Sequence, residues 1–240
     1  VVVRRAMETS SLRRENKELK QKDTAEYELK GESIIFRNFM SSLNKVSKAS
    51  SRVLISGSSG SGKKTSARYI HENSKQSAGN FIAVNCSVSD QDELDRMLFG
   101  IENKDGLQEV GALEKANGGT IYLDEVAEMP LDLQGKLLKF LVERTTNRIG
   151  SNKKLDVELR VISSTNSDFS EKIKSKKFRE DLFHRLNVVP IKTPSLSERI
   201  DDIPLLAKYF VEQLSSIEGF SYREFTNEAL SFLQAMNWPG

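Results

Sequence analysis

The chain has 240 residues, of which 38% are apolar and 29% charged, and its formal net charge at pH 7 is +2. This length accommodates a large domain with a smaller one, and so small a net charge does not by itself predict a nucleic-acid partner. The single cysteine, Cys86, excludes an intrachain disulfide and fits a reducing compartment. No run of about 18 apolar residues and no signal-peptide pattern occurs, so we expect a cytoplasmic protein with no membrane partner.

Residues 1–29 mix charges of both signs and contain no glycine or proline, which is typical of a solvated helix. Leu12 and Leu19 are seven residues apart, so a short coiled-coil seam and a plain linker helix are equally good interpretations. Because the chain does not start on methionine, we expect a longer protein upstream. A break at Gly31-Glu-Ser33 precedes a helical pattern over Ile34–Lys48.

A predicted strand, a glycine loop and a predicted helix come next. Arg52–Ser56 is a short apolar run, and Thr65–His71 has helical spacing. The loop consists of Gly57, Ser58, Ser59, Gly60, Ser61, Gly62, Lys63, Lys64 and Thr65. Its glycines let backbone N–H groups face a phosphate, and Lys63 adds a positive charge for the outer phosphates. A Gly/Ser-rich turn is the alternative, but the flanking elements favour a phosphate-binding P-loop.

The residue after the P-loop lysine departs from the general pattern. Lys64 occupies the place where Ser or Thr usually holds Mg²⁺, and Thr65 lies one position later. Thr65 is therefore a possible Mg²⁺ ligand. Lys64 either favours nucleotide binding through its charge or hinders a Mg²⁺-bound state, and the sequence does not rank these effects.

Two acids follow a later apolar run. Thr120–Asp124 is predicted as a strand, and Glu125 comes directly after it. Carboxylates at the end of a buried strand are costly unless they meet a cation or hydrogen-bond donors. In P-loop enzymes the first acid orders Mg²⁺ and the second polarises the attacking water, so we assign these roles to Asp124, acting through water, and Glu125. A strand ending in an exposed loop is the alternative.

The remaining elements alternate in a way that predicts a parallel sheet covered on both faces. Asn166, after the fourth strand, is either a turn residue or an amide that orients a water, and Pro190 suggests that the last strand lies at an edge. The predicted strands are Phe81–Asn85, Leu159–Ser163 and Val188–Ile191. The predicted helices are Ser89–Phe99 with Ser89 as N-cap, Leu131–Arg144, Phe178–Leu186, Ile203–Leu214 and Thr226–Met236.

Several stretches together resemble the AAA+ domain of bacterial enhancer-binding response regulators, the sigma-54 interaction type. They agree with that family in order and spacing and cover the chain from Gly31 onward. These stretches are Gly57–Lys63, Ala116–Glu125, Met129–Gln134, Ser164–Asn166 and Phe178–Asn187.

The resemblance implies an α/β fold, namely a P-loop αβα sandwich with a five-stranded parallel sheet over residues 30–193. It also implies a linker helix over residues 1–29 that joins a missing receiver domain, and a truncated helical lid over residues 194–240. ATP, ADP and Mg²⁺ would be the cofactors. The implied partners are copies of the chain, from a dimer to a hexameric ring, a sensor histidine kinase through the receiver, and DNA through a missing C-terminal helix-turn-helix.

By position, the resemblance assigns Gly57–Thr65 to Walker A, Asp124 with Glu125 to Walker B, and Asn166 to sensor I. Arg179 and Arg185 would act as arginine fingers on the ATP of a neighbouring subunit. Without the resemblance, a solvated basic helix face would be the better interpretation of these two arginines. The family carries Glu at the position of Lys64, so the absence of Ser or Thr there is normal for it.

The stretch Ile101–Val110 departs from most of the family. Activators of the sigma-54 polymerase carry a Gly-Ala-Phe-Thr-Gly-Ala loop there, whereas this chain is shorter and lacks that motif. This feature is most similar to the NtrX kind of nitrogen-regulation regulators and makes a sigma-54 polymerase contact doubtful. Two hypotheses therefore stand: a weak ATPase whose ring couples hydrolysis to remodelling, and a nucleotide-gated DNA-bound scaffold with little or no hydrolysis.

Overall fold

The structure is a computed structural model that describes residues 28–103, 108–216 and 221–239. The predicted linker helix over residues 1–29 lies almost entirely outside the described residues. No helix in the described ranges is both long enough and apolar enough to cross a membrane.

A five-stranded parallel sheet forms the centre of the fold, in the order β2-β5-β8-β1-β9. Its strands are β1 (Val53–Ser56), β2 (Phe81–Asn85), β5 (Thr120–Asp124), β8 (Arg160–Thr165) and β9 (Val189–Lys192). Two short hairpins stand apart from it, β3 (Gly100–Glu102) with β4 (Gln108–Val110), and β6 (Thr145–Thr146) with β7 (Leu155–Asp156). The five predicted strands are confirmed, and β9, which carries Pro190, is an edge strand as predicted.

Helices cover both faces of this sheet, and they are α1 (Ile34–Ser47), α2 (Lys63–Glu72), α3 (Gln91–Phe99), α4 (Ala112–Lys115), α5 (Leu131–Glu143), α6 (Phe169–Lys174) and α7 (Glu180–Leu186). Two further helices, α8 (Ile203–Ser215) and α9 (Asn227–Ala235), follow the last strand. The prediction that Ser89 caps α3 is wrong, because the Asp90 carboxylate accepts the N–H groups of Asp92 and Glu93 instead. A carboxylate at this position also interacts favourably with the positive end of the helix dipole.

Alternating side chains of the strands divide the core into two layers. In β5, Tyr122 packs with Phe36 and Leu43 of α1, whereas Ile121 and Leu123 pack on the opposite face with side chains of α3 and α5. Every one of these five residues is buried. The period of two along a strand therefore generates the αβα sandwich.

A buried carboxylate ties the first residues of the described chain to the start of α8. Asp202, which is 1% exposed, accepts the backbone N–H groups of Glu32 at 2.6 Å and Ser33 at 2.7 Å, and the Ser33 hydroxyl at 2.8 Å. These three donors offset the cost of burying the charge. The start of α8 is thus fixed beside the start of α1.

Candidate functional site

The chemically notable residues gather at one edge of the sheet. Parallel strands end at a common edge, and β1, β5 and β8 end there at Ser56, Asp124 and Thr165. The Gly57 N–H donates to the Thr165 carbonyl oxygen at 3.2 Å, which fixes the start of the glycine loop beside β8. Motifs that are about 40 to 110 residues apart in sequence are therefore neighbours at this edge.

The glycine loop needs glycine at two positions for different reasons. Gly62 has φ of +88° and is the N-cap of α2, a left-handed conformation that side chains disfavour. At Gly57 the limit is space, because a Cβ atom would lie 1.9 Å from Thr193 Oγ1. Thr193 is itself buried and hydrogen-bonds the Ser61 hydroxyl at 2.7 Å. Thr193, which follows β9, thus helps to fix the conformation of the loop. The loop in turn places the N-terminus of the ten-residue α2 at this edge of the sheet.

Lys63 lies in the first turn of α2 and is only 7% exposed. Its Nζ donates to the carbonyl oxygens of Gly57 at 3.1 Å and Ser58 at 3.2 Å, and it lies 3.1 Å from Glu125 Oε1. These contacts engage the three N–H donors of the ammonium group. A phosphate entering the loop would compete with Glu125 for Lys63.

Asp124 is held by hydroxyl groups on its own face of the sheet. Its Oδ1 lies 2.6 Å from Ser164 Oγ and 2.8 Å from the Tyr122 hydroxyl, and these two hydroxyls are 2.8 Å apart. Burial, reinforced by the charge of Asp124, raises the pKa of the Tyr122 phenol above its ordinary value, so Tyr122 remains a hydrogen-bond donor. The carboxylate is thereby oriented at the end of β5.

Glu125 has an unusual backbone conformation for a residue with a side chain. Its φ of +51° and ψ of +48° are in the left-handed region, which costs about 1 kcal/mol or more for a residue other than glycine. The conformation is accompanied by two contacts of the carboxylate, one with Lys63 and one in which Oε2 accepts the Asn166 N–H at 2.8 Å. Strain of this kind is characteristic of functional sites.

Asn166 follows β8 and is exposed. It meets Glu125 through its backbone N–H, and its side-chain Oδ1 lies 3.3 Å from the Ser167 hydroxyl. The structure thus brings Asn166 to the same edge as the two acids. Whether its amide orients a water stays a prediction.

Cys86 lies directly after β2 at the same end of the sheet and is fully buried. Burial, with smaller contributions from the charges of Asp124 and Glu125, raises the pKa of its thiol to about 12. A thiol that stays protonated at neutral pH is a poor nucleophile. Cys86 is therefore a core residue of this region.

A cavity of about 380 Å³ opens beside the glycine loop. One wall consists of Gly60, Ser61, Gly62 and Thr65, and the rest comes from the first described residues and the helical region after β9. Those other lining residues are Glu28, Leu29, Lys30, Leu196, Arg199, Leu206, Phe210 and Trp238. The glycine loop thus borders a cavity with an apolar wall, and a planar base could pack against such a wall.

Sequence analysis missed this second wall. Leu29 and Trp238 are more than 200 residues apart, and no local spacing links them to Gly62 or to each other. The sequence shows that Trp238 is the chain's sole tryptophan, but no motif in the residues around it indicates a ligand. It provides a fluorescent reporter beside the glycine loop.

Lys64 and Thr65 occupy different environments in the first turn of α2. Lys64 is exposed, whereas Thr65 is half-buried and lines the cavity. No cluster of three or more His, Cys, Asp or Glu that could hold a metal occurs in the described ranges. One carboxylate, Asp124, with substrate phosphates and water, is nevertheless a sufficient ligand set for Mg²⁺.

The two predicted arginine fingers lie at opposite ends of α7. Arg179 is the N-cap of α7, and its guanidinium forms a bidentate pair with Asp181 at 2.8 and 3.0 Å. Arg185 is exposed in the last turn of α7, two residues before the turn into β9. Because the Val189 N–H donates to the Arg52 carbonyl oxygen, Arg185 lies near the amino end of β1. The glycine loop follows the carboxyl end of that strand, so Arg185 is remote from its own loop.

The stretch that departs from the Gly-Ala-Phe-Thr-Gly-Ala pattern forms the hairpin of β3 and β4, whose tip lies outside the described residues. Backbone hydrogen bonds of 2.9 Å join Glu102 N–H to Ile149 O and Ile149 N–H to Gly100 O. Arg148 lies 3.9 Å from Glu102 of the hairpin and also forms a bidentate pair with Glu114 of α4 at 2.8 and 3.0 Å. The base of this hairpin is therefore attached to the neighbouring β6–β7 segment.

Comparison with known proteins gives a consistent result. The profile of the sigma-54 interaction domain matches residues 29–192, and the profile of the AAA+ ATPase lid domain matches residues 197–240. The nitrogen assimilation regulatory protein NtrX of Azorhizobium caulinodans is 43% identical over 241 residues, which cover 100% of this chain and 53% of that protein. The regulatory protein AtoC of Escherichia coli is 39% identical over 247 residues, which cover 100% of this chain and 54% of that protein.

Solved structures agree. The crystal structure of NtrX from Brucella abortus in complex with ADP superposes with a TM-score of 0.89 at 40% identity, and the complex with ATP gives the same values. Each match covers 100% of this chain and 54% of that one. The chain thus spans about half the length of the relatives that it matches.

Proposed function

This chain belongs to the sigma-54 interaction domain family of AAA+ proteins, and from that membership we propose that it binds ATP beside the glycine loop and hydrolyses it slowly between neighbouring copies. The observation that carries the proposal is the meeting of Lys63, Asp124 and Glu125 at one sheet edge, beside a cavity with an apolar wall. The ATP and ADP complexes of the Brucella NtrX, at 40% identity, support nucleotide as the ligand.

In this proposal the triphosphate lies against the glycine loop and the N-terminus of α2, with the base in the cavity. Its outer phosphates draw the Lys63 ammonium away from Glu125, whose carboxylate then accepts a proton from the attacking water. The water oxygen bonds to the γ-phosphorus as the bond to the β–γ bridging oxygen breaks, giving ADP and inorganic phosphate. Mg²⁺, when bound near Asp124, would neutralise charge on the phosphates.

We further propose that Arg185, and Arg179 with it, serve a nucleotide held by another copy of the chain. The position of Arg185 near the amino end of β1 supports this arrangement, because its own glycine loop lies at the opposite edge. Arg179 is engaged by Asp181, so it would have to leave that pair to reach an anion. The family assignment extends the proposal to a phosphorylation-controlled regulator that binds DNA through other domains, with residues 30–193 and 194–240 as nucleotide domain and lid.

The second candidate function is a nucleotide-gated scaffold with little hydrolysis. The charge of Lys64 beside the loop favours it, and so does the tethered hairpin at residues 100–102 and 108–110, which lacks the sigma-54 contact motif. On either alternative we expect no activation of the sigma-54 polymerase by this domain.

Steady-state ATP hydrolysis as a function of protein concentration tests the proposal. The rate per subunit should rise with concentration, and Glu125→Gln should lower it about 1,000-fold by removing the proton acceptor. The same variant should keep ATP binding, and tighten it about fivefold, because a neutral Gln competes less well for Lys63. Fluorescence of Trp238 during an ATP titration reports the binding.

A rate that is independent of concentration and unchanged by Glu125→Gln would contradict the ATPase and, if ATP still binds, would favour the scaffold. For the trans role, Arg185→Ala subunits and Glu125→Gln subunits should each be nearly inactive alone. Mixed at high concentration, they should regain about a quarter of the wild-type rate, since a quarter of random interfaces combine an intact Glu125 with an intact Arg185. No regain would remove Arg185 from this role.

A further inference from the structure

Two buried hydroxyl groups converge on one oxygen of the Asp124 carboxylate, and we refer to their residues, Tyr122 and Ser164, as the hydroxyl pair. Tyr122 lies on β5 and Ser164 on the neighbouring β8, and both residues are 0% exposed. Asp124 Oδ1 lies 2.6 Å from Ser164 Oγ and 2.8 Å from Tyr122 Oη, and the two hydroxyl oxygens are 2.8 Å apart. Two adjacent strands thus each contribute one hydrogen-bond donor to the same carboxylate.

The carboxylate determines the direction of these hydrogen bonds, because an ionised carboxylate only accepts them. Ser164, which has the shortest contact, donates its proton to Asp124 Oδ1. Tyr122 donates its proton either to Oδ1 directly or to Ser164 Oγ, and in the second case it strengthens Ser164 as a donor. In both arrangements the hydroxyl pair engages Oδ1.

The other carboxylate oxygen, Oδ2, is left for a ligand. Within residues 28–103, 108–216 and 221–239, Asp124 accepts side-chain hydrogen bonds only at Oδ1. Asp124 is half-buried at the end of β5, at the sheet edge where the glycine loop lies. A carboxylate with one oxygen held by two donors presents its second oxygen in a fixed direction.

Ser164 differs from Tyr122 in also contacting the second acid of the site. Its Oγ accepts the backbone N–H of Glu125 at 3.3 Å, and Glu125 is the residue with φ of +51°. Tyr122 makes no such contact, and its hydroxyl acts on Asp124 alone or through Ser164. The two hydroxyl groups therefore have separable effects.

We propose that Tyr122 and Ser164 are positioning residues for Mg²⁺: by holding Asp124 Oδ1, they keep Oδ2 available to the water of Mg²⁺ bound with ATP. The inference rests on the proposed function, since it requires a nucleotide whose Mg²⁺ lies near Asp124. Neither hydroxyl group is required to touch the metal.

Two opposing effects decide the sign of this contribution. Donors on Oδ1 withdraw negative charge from the carboxylate, which weakens its attraction for Mg²⁺. They also fix the terminal torsion of the aspartate side chain, which is otherwise broad, so less ordering remains to be done when the metal binds. Hydrogen-bond partners of metal-binding carboxylates typically favour binding, and their removal lowers metal affinity by about 10- to 100-fold, so we expect the second effect to dominate.

The test measures ATP binding by Trp238 fluorescence, first in excess EDTA and then over a series of Mg²⁺ concentrations. Tyr122→Phe and Ser164→Ala each remove one hydroxyl group and leave the rest of the side chain nearly unchanged. Both variants should bind ATP like the wild type in EDTA. The Mg²⁺ concentration that gives half of the metal-dependent gain in ATP affinity should rise about 10-fold in each.

Matched controls remove comparable hydroxyl groups that do not contact Asp124. Tyr69→Phe loses the hydrogen bond from its phenol to Asn44 Oδ1 at 2.6 Å, and Ser163→Ala loses the one to the Val53 carbonyl oxygen at 3.3 Å. Ser163 is as fully buried as Ser164 and is its neighbour on β8. Both controls should keep the Mg²⁺ requirement of the wild type.

Hydrolysis rates separate the two members of the pair. At saturating Mg²⁺, Tyr122→Phe should regain the wild-type rate, because high metal concentration compensates for weaker metal binding. Ser164→Ala should remain about fivefold slower, because the Glu125 N–H has lost its acceptor.

An unchanged Mg²⁺ requirement in both variants, with a lowered midpoint of thermal unfolding, would make the hydroxyl pair structural and overturn the inference. So would an ATP affinity that falls equally in EDTA and in Mg²⁺, since the loss would then not involve the metal. If ATP binding and hydrolysis by the wild type itself are independent of Mg²⁺, the metal assigned in the proposed function is overturned together with this inference.

Discussion

The two edges of the central sheet treat charge in opposite ways. At the carboxyl-end edge Lys63 pairs with Glu125 at 3.1 Å, and the Asp124 carboxylate accepts hydroxyl groups at 2.6 and 2.8 Å. At the amino-end edge Arg52, Arg144 and Arg160 form no ion pair with a carboxylate of the described chain. Arg144 and Arg160 donate to backbone carbonyl oxygens, whereas the buried Nη1 of Arg52 has no hydrogen-bond partner. The charged groups at the carboxyl-end edge are therefore paired within the described chain, whereas the guanidinium groups at the amino-end edge have no carboxylate partner there.

This difference shows which charged groups the described chain stabilises by itself and which it does not. Paired charges let the glycine loop stay folded without a nucleotide, at the cost that a ligand must displace an existing pair. Unpaired guanidinium groups are retained only where something else stabilises them, either backbone carbonyls of the same chain or an anion from outside. Arg144 and Arg160 represent the first case.

Among the tests of this comparison between the two edges, we expect the largest effect from replacing Arg160. Arg160 is 2% exposed and donates to the Val46 and Ser47 carbonyl oxygens at the end of α1, at 2.8 and 3.2 Å. Burial lowers the pKa of its guanidinium. Arg160→Met keeps most of the volume but leaves both carbonyls without this donor, so we expect a loss of about 3 kcal/mol in the free energy of unfolding. Urea denaturation measures it.

Arg160→Lys is the matched variant, since it keeps the charge but presents one nitrogen in place of the guanidinium fork, and it should lose about half as much. A methionine variant as stable as the wild type would mean that the desolvation cost of Arg160 cancels its two hydrogen bonds.

At the carboxyl-end edge, Lys63→Ala should weaken ATP binding by about 2 kcal/mol, or about 30-fold, because charge-assisted phosphate contacts are lost. Calorimetry or Trp238 fluorescence measures the affinity. Lys45→Ala, at an exposed position of α1, is the control and should bind ATP like the wild type. Unaltered ATP affinity in the Lys63 variant would show that the Lys63–Glu125 pair has a structural role and that Lys63 does not bind the phosphates.

The smallest effect is expected at Glu128, which also lies at the carboxyl-end edge. Its hydrogen bond from Lys172, followed by one from Ser167, lowers the pKa of the carboxyl below its ordinary value of 4.5. A lowered pKa in the folded state gives stability that is present above pH 4.5 and disappears as the pH falls through the lowered value.

We expect Glu128→Gln to lose about 0.5 kcal/mol at pH 7, because Glu128 is exposed, Lys172 is only half-buried, and solvent screens the pair. Urea midpoints of variant and wild type, measured from pH 7 down to about pH 3, should converge at the acid end. A loss several times larger, or one that persists at low pH, would mean that pairing at this edge stabilises the fold far more than exposed pairs do.

Local sequence patterns were enough to predict much of the fold. Each of the five sheet strands lies within two residues of the stretch predicted for it, because short apolar runs between turn residues are a local property. Helix ends were less predictable: α2 starts at Lys63, two residues before its predicted start, since the left-handed Gly62 already begins the helix. The cap of α3 differed by one residue because Ser89 and Asp90 are both good caps, and backbone geometry selects between them.

The sequence by itself determined the αβα class, the glycine loop and the pair of acids at a strand end, since each depends on residues that are close together in the chain. Only the tertiary structure decided that Thr193 shapes the loop, that Leu29 and Trp238 share a cavity with it, and that Arg160 donates to carbonyl oxygens at the end of α1. The physical reason is that these contacts join side chains more than 100 residues apart. Their burial and charge pairing exist only once the strands have assembled into a sheet.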